Sequence, residues 1–334
     1  MPVTQHLLRW RGAWILAAAA LASAAAGLWL SRSGAAAVRF EKPVTIVVTF
    51  PPGGGTDLLA RRLGAALQQR LGQPVMVENR PGASGNIGAR AVAEAVPDGA
   101  TLLMVNSSFA INPGVYRHLD FDPRRDFKAV FNAGTIASVL VVPEQSSVRD
   151  LRDALAGSTA ERPLPFASCG NGTPQHMAGE MLAQATHVSL QHVPYKGCGP
   201  AITAVAAGQV PLAVVTASSA APLMAAGRVR AIAITAPARA AQLPDVPTVA
   251  EQGVAGFAVE QWHGLLAPAA TPEPVVNHLH EALAQILAEP GMQQSLREQG
   301  YTPARETPAQ FGQLIAADID RYAAVAARLG LKVD

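Results

Sequence analysis

One pattern constrains this chain more than any other. Short β-rich runs alternate with helical stretches, and the runs end in small, polar or glycine-rich turns. Val44 to Phe50 is a continuous β-rich run that stops at Pro51-Pro52-Gly53-Gly54-Gly55. A helical pattern follows, with Leu59, Leu63, Leu67 and Leu71 on one face, until Gly72 stops it. Val75 to Val77 begins a second strand, 86–95 reads as a short alanine-rich helix, and Thr101 to Val105 as a third strand. That order builds a parallel sheet with right-handed crossovers. Residues 112–127 read as irregular and polar, and 130–142 as strand-rich up to Pro143. A second set then alternates helices at 148–156, 174–185, 200–207 and 218–226 with strands at 164–167, 189–193, 212–216 and 229–235. Terminal helices are expected at 273–287, 291–299 and 308–329. With 334 residues the chain is long enough for two cores. The expectation is a two-lobed α/β protein, each lobe a mainly parallel sheet flanked by helices. Lobe 1 would comprise 38–140 and 263–334, and lobe 2 141–262. A cleft between such lobes, at the carboxyl ends of parallel strands, is where these folds bind ligands.

The N-terminus reads as an export signal. Arg9 and Arg11 precede an apolar stretch from Ala13 to Leu30, and Ala35-Ala36-Ala37 offers a cleavage site. Cleavage after Ala37 is expected, with an uncleaved anchor as the alternative because the stretch approaches spanning length. The formal charge of +2 depends on this segment. Removing Arg9, Arg11 and Arg32 leaves 23 basic against 24 acidic residues, so the exported part is near neutral. No basic run could follow a phosphate backbone, which argues against nucleic acid as a partner.

The turn Pro51-Pro52-Gly53-Gly54-Gly55-Thr56-Asp57 lies between a strand and a helix. Its glycines let backbone N–H groups face a cleft without Cβ obstruction. The helix N-terminus adds partial positive charge, which suits an anion. The plain structural alternative is a tight turn capped by Thr56 or Asp57. Neither a Walker loop nor a dinucleotide fingerprint is present, so no cofactor is expected. Ser168-Cys169-Gly170-Asn171-Gly172-Thr173-Pro174 repeats the design, with Thr173 as the expected N-cap and His176 in the first turn. Asn106-Ser107-Ser108 and Tyr195-Lys196-Gly197 also end strands.

Eight segments then occur in order: PPGGGTD, VENRPGASGNIGA, FDPRRDF, GNGTPQHMAGE, HVPYKGCGPA, GQVPLAVV, LPDVPTVAEQGV and WHGLLAPAATP. Together they resemble the Bordetella uptake gene family, the solute receptors of tripartite tricarboxylate transporters. The resemblance covers nearly the whole chain after the leader. It implies a periplasmic, type II-like Venus-flytrap protein that holds a mono- or dicarboxylate, aromatic ones included. Binding would rest on backbone N–H groups, hydroxyls and water. The partner would be the transporter's membrane permease, or a sensor kinase if the receptor signals, and the chain would act as a monomer. The expected ligand-binding set is Pro52, Gly53, Gly54, Gly55, Thr56, Asp57, Ser107, Ser108, Ser168, Cys169, Gly170, Thr173, His176, Tyr195, Lys196, Gly197 and Thr216. Thr216 stands where the family often has an acid, which weakens an amino-acid ligand. His263 stands where an aromatic is usual.

Two other readings of the same residues compete. A hydrolase would draw a nucleophile from Ser107, Ser168 or Cys169 and a base from His176 or His192, but no nucleophile elbow supports it. A metal set of Cys169, His176, His192 and Cys198 matches no usual zinc spacing. Cys169 and Cys198 follow strands of one lobe, in loops that the family pattern turns toward the ligand. In an oxidising compartment they either pair across the binding face or remain two small unpaired residues.

Overall fold

A β-run without polar alternation needs cover on both faces, and β1 (Val44–Val48) has it, being buried at nearly every position. The computed structural model describes residues 40–333; the expected leader at 1–37 lies outside them. β1 pairs in parallel with β2 (Val75–Asn79) and with β3 (Thr101–Asn106). β3 pairs antiparallel with β9 (Glu260–Pro268), which pairs antiparallel with the long β4 (Phe127–Pro143). The short β10 (Tyr301–Pro303) also pairs with β4.

β4 belongs to two sheets. Its residues from Phe127 to Ala137 pair with β9, whereas Ser138 onward pairs with β7 (Leu212–Thr216) and β8 (Val229–Ile234). In this second sheet β5 (Leu164–Ser168) runs parallel to β7 on one side and to β6 (Leu190–Pro194) on the other. Each sheet therefore joins a parallel set, whose strand ends carry the glycine-rich turns, to antiparallel strands that connect the two sheets.

The helices cover these sheets. α1 (Gly55–Leu71) buries Leu59, Leu63 and Leu67 and ends at Gly72, which takes the left-handed conformation that favours glycine. α2 (Asn86–Ala93) follows β2. α4 (Leu151–Leu155), α5 (Pro174–Thr186), α6 (Cys198–Ala206) and α7 (Ala217–Ala225) accompany the second sheet. α8 (Glu273–Ala288), α9 (Pro290–Glu298) and α10 (Pro308–Leu329) close the chain. α10 begins with a capping box between Thr307 and Gln310. One apolar core joins Val47, Leu103, Trp262 and Phe311, and another joins Leu140, Phe166, Leu182 and Val214. A third cluster packs Met177 of α5 against Ile111, Val115 and Tyr322.

Several elements depart from the sequence expectation: β9 and β10 fall where no strand is expected, and the helix before β4 departs as well. Asn112 to Val115 were read as irregular, yet they complete α3 (Ser108–Val115). Pro113 argues locally against a helix, since it removes an N–H donor. Nearly every residue of α3 is buried, so it has no polar face to produce a helical period. Packing decides the matter: α3 lies so close to α10 that a Cβ at Gly114 would sit 2.8 Å from the Ala323 Cα.

Candidate functional site

The carboxyl ends of β1, β3, β5, β6 and β7 border one cavity of about 520 Å³. The N-termini of four helices open onto it. From α1 come Gly55 and Thr56, and from α6 Cys198, Gly199 and Pro200. α5 contributes its cap Thr173 and Gln175, and α7 contributes its cap Thr216 with Ser218 and Ser219. Two of the caps are glycines, Gly54 and Gly197, with no side chain to accept from the first turn. Thr173 and Thr216 do accept, from the His176 and Ser219 N–H groups. Each terminus concentrates partial positive charge, so four facing one space make it favourable for a negative group without a buried formal charge.

A polar chain forms the floor. Gln175 Nε2 donates to Ser138 Oγ at 2.8 Å and to Gln261 Oε1 at 2.9 Å. The Gln261 amide then faces His263 Nε2 at 3.0 Å, and the Thr56 hydroxyl lies 3.2 Å from the same nitrogen. Asn106 Nδ2 reaches Thr56 Oγ1 at 3.5 Å. In this arrangement Nε2 accepts, so the ring proton sits on Nδ1. Burial pushes the His263 imidazole down to about 3, so it stays neutral. His263 Nδ1 and the hydroxyl of Tyr301 have no hydrogen-bond partner among the described residues, and the two rings meet edge-on at 5.2 Å.

Residues 59–331 match the model of the tripartite tricarboxylate transporter family receptor. The chain belongs to that family. Among solved structures, an R. palustris protein with adipate is similar at a TM-score of 0.84 and 33% identity, covering 88% of this chain and 99% of that one. The periplasmic binding protein BugD gives 0.81 at 30% identity, covering 88% and 100%. MatC from Rhodopseudomonas palustris with bound malate gives 0.78 at 33%, covering 86% and 100%. The resemblance carried by the eight sequence segments holds, and the fold is that of the two-lobed periplasmic binding proteins.

In this member of the family, Pro52, Gly53, Gly54, Gly55, Thr56, Cys169, Thr173, Lys196, Gly197 and Thr216 all stand on the cavity wall. Cys169 and Cys198 are bonded to each other, with Cα atoms 4.2 Å apart. The Gly197 N–H also donates to the Cys169 carbonyl at 3.0 Å, so the two loops form one tied wall. Neither sulfur is free as a nucleophile or thiolate ligand. Gly170 and Tyr195 line a neighbouring cavity of about 480 Å³ that shares Cys169, Lys196 and Gly197 with the first.

Five expected residues lie off the wall. Asp57 is buried beneath the glycine turn, where its carboxylate accepts from the Gly53 N–H at 2.8 Å, Arg61 Nε at 3.0 Å and Asn79 Nδ2 at 2.9 Å. Burial pushes its carboxyl up, but those bonds outweigh burial and hold it below the ordinary value. Asp57 shapes the turn from behind. The Ser107 hydroxyl accepts from the Trp262 N–H, and Ser108 is buried at the start of α3. The Ser168 hydroxyl is engaged 2.6 Å from His192 Nε2. His176 stacks on His192 at 3.8 Å between ring centroids and accepts from the Gly172 N–H. Burial, and then the neighbouring His176, lower His192 to about 3. This serine–histidine pair stacks on a second imidazole, His176, whose Nε2 faces the Glu180 carboxylate at 3.6 Å, and none of these side chains lines the cavity.

Gln175, Ser218, Ser219, Gln261 and His263 were absent from the expected set. A signal existed for two of them. In β9, apolar after Glu260 except for these two, Gln261 and His263 are two apart, which puts them on one face.

Proposed function

We propose that this chain is a periplasmic receptor that captures a small carboxylate between its lobes and delivers it to the membrane permease of a tripartite transporter. The observation that carries the reading is the convergence of four helix N-termini on one cavity, two of them with glycine caps. Such a site offers N–H donors and hydroxyls from Thr56, Ser218 and Ser219 to an anion, with Lys196 exposed at the rim. The bound adipate and malate of the two R. palustris relatives support the same ligand class. The mature chain would begin at Val38 and act as a monomer. The lobes would divide where β4 changes sheets, at Ala137–Ser138, and again before β9.

Calorimetry with short monocarboxylates, dicarboxylates, hydroxy acids and aromatic acids tests this. A binding carboxylate should also stabilise the fold by about 2.7 kcal/mol at a hundredfold excess over its dissociation constant. Binding of sugars or cations alone, with no carboxylate bound, sinks the proposal.

A further inference from the structure

A second cavity, of about 370 Å³, adjoins the first, and the two share Ala221, Glu298 and Gln299. One wall is a face of α7 on which Ala217, Ala221 and Ala225 recur every four residues, with Met224 beside them. Leu243 and Ala240 continue that apolar wall, and Gln299 and Gly300 face it from the far end of α9. Gln242 Nε2 bonds to the Arg297 carbonyl, tying the 240–243 loop to that end of α9. The two faces of α7 differ in chemistry. Its N-terminal hydroxyls, Ser218 and Ser219, face the first cavity, and its alanine face lines the second.

Charge further restricts the guest. No Lys, Arg or His lines the second cavity among the described residues, and the acidic Glu298 stands at the junction. A second carboxylate there would meet Glu298 and no cation, whereas an apolar tail would cover the exposed Ala221 and Ala225. Alanines leave width for a chain or a ring, whereas larger side chains would fill the passage.

Resting on the carboxylate reading above, we infer that the preferred ligand is a monocarboxylate with a neutral apolar tail. Its head lies among the four helix N-termini, and its tail runs past Ala221 into the second cavity. Ala221 and Ala225 are then specificity-determining residues, because their small size keeps the passage open.

Calorimetry on the mature protein with butyrate, hexanoate, octanoate, 4-phenylbutyrate and suberate tests this. Affinity should rise from butyrate to octanoate by roughly three- to fourfold per methylene buried. Octanoate should bind roughly tenfold or more tightly than suberate, which has the same length but a charged far end. Ala225 lines the second cavity and not the first. Ala225→Trp should therefore cost octanoate far more affinity than butyrate, bringing the ratio of the two toward one. Leu243→Glu, at a different point of the wall, should do the same. Equal affinities along the series, tighter binding of suberate, or equal loss for butyrate and octanoate in both variants would overturn the tail but leave the carboxylate receptor standing. If no carboxylate binds, here or in the wider panel, both readings fall.

Discussion

His263 shows how much one buried residue decides. It accepts from the floor of the cavity through Nε2 and is kept neutral by burial. The unfolded chain takes a proton on this ring near pH 6.5, whereas the folded protein resists until about 3. Between those values the unfolded state holds the extra proton, so stability falls as pH falls through that window and is flat above it. The slope from this one group is about 1.4 kcal/mol per pH unit. Denaturant unfolding at pH 7.5 and pH 5 should show His263→Phe losing about 2 kcal/mol less than the parent protein. Identical losses would show that the ring does not titrate this way. His192 adds to the parent's loss with the same sign, so the variant should retain some pH dependence. The sequence marked His263 only as an unusual neighbour of Trp262. Its partner Thr56, and Gln175 one bond further on through Gln261, are distant in the chain, and no local pattern announces a hydrogen-bond chain assembled from β9, α5 and α1.

Among the elements, the most legible were those whose chemistry is local. The Pro51–Asp57 turn has its glycines and the first helix its leucine spacing, and the last helix was read over the 308–329 that it spans. α3 was not legible in the sequence at any turn, because it has no polar face and tertiary packing overrides Pro113. The wall formed by the loops after β5 and β6 lies between these extremes. Its cysteines were visible, but their separation in space was not. The bond between Cys169 and Cys198 spans 29 residues, which corresponds to about 3–4 kcal/mol of restraint on the unfolded chain. Replacing both by serine should lower denaturant stability by about that amount. It should also weaken ligand binding, because the wall must then be ordered on capture. Unchanged affinity in the double variant would make the bond purely a stabiliser of the fold.

At the scale of the molecule, among the described residues only β4 and the segment entering β9 lead directly from one sheet to the other. Across the cleft, the Ser84 hydroxyl meets the Asn171 carbonyl and Gln242 meets the Arg297 carbonyl. If capture closes the lobes, solution scattering should show a smaller radius of gyration with saturating ligand. Unchanged dimensions would mean a rigid pocket. The two-sheet path of β4 also has a consequence in time. The second sheet needs only the stretch from Ser138 to Ile234, whereas the first waits for β9 and β10, near the far end of the chain. A chain emerging from its N-terminus therefore presents β1, β2 and β3 early yet cannot complete their sheet. The half of the molecule that appears first is the last to be finished, and the middle of the sequence can be assembled while the earlier strands still lack their partners.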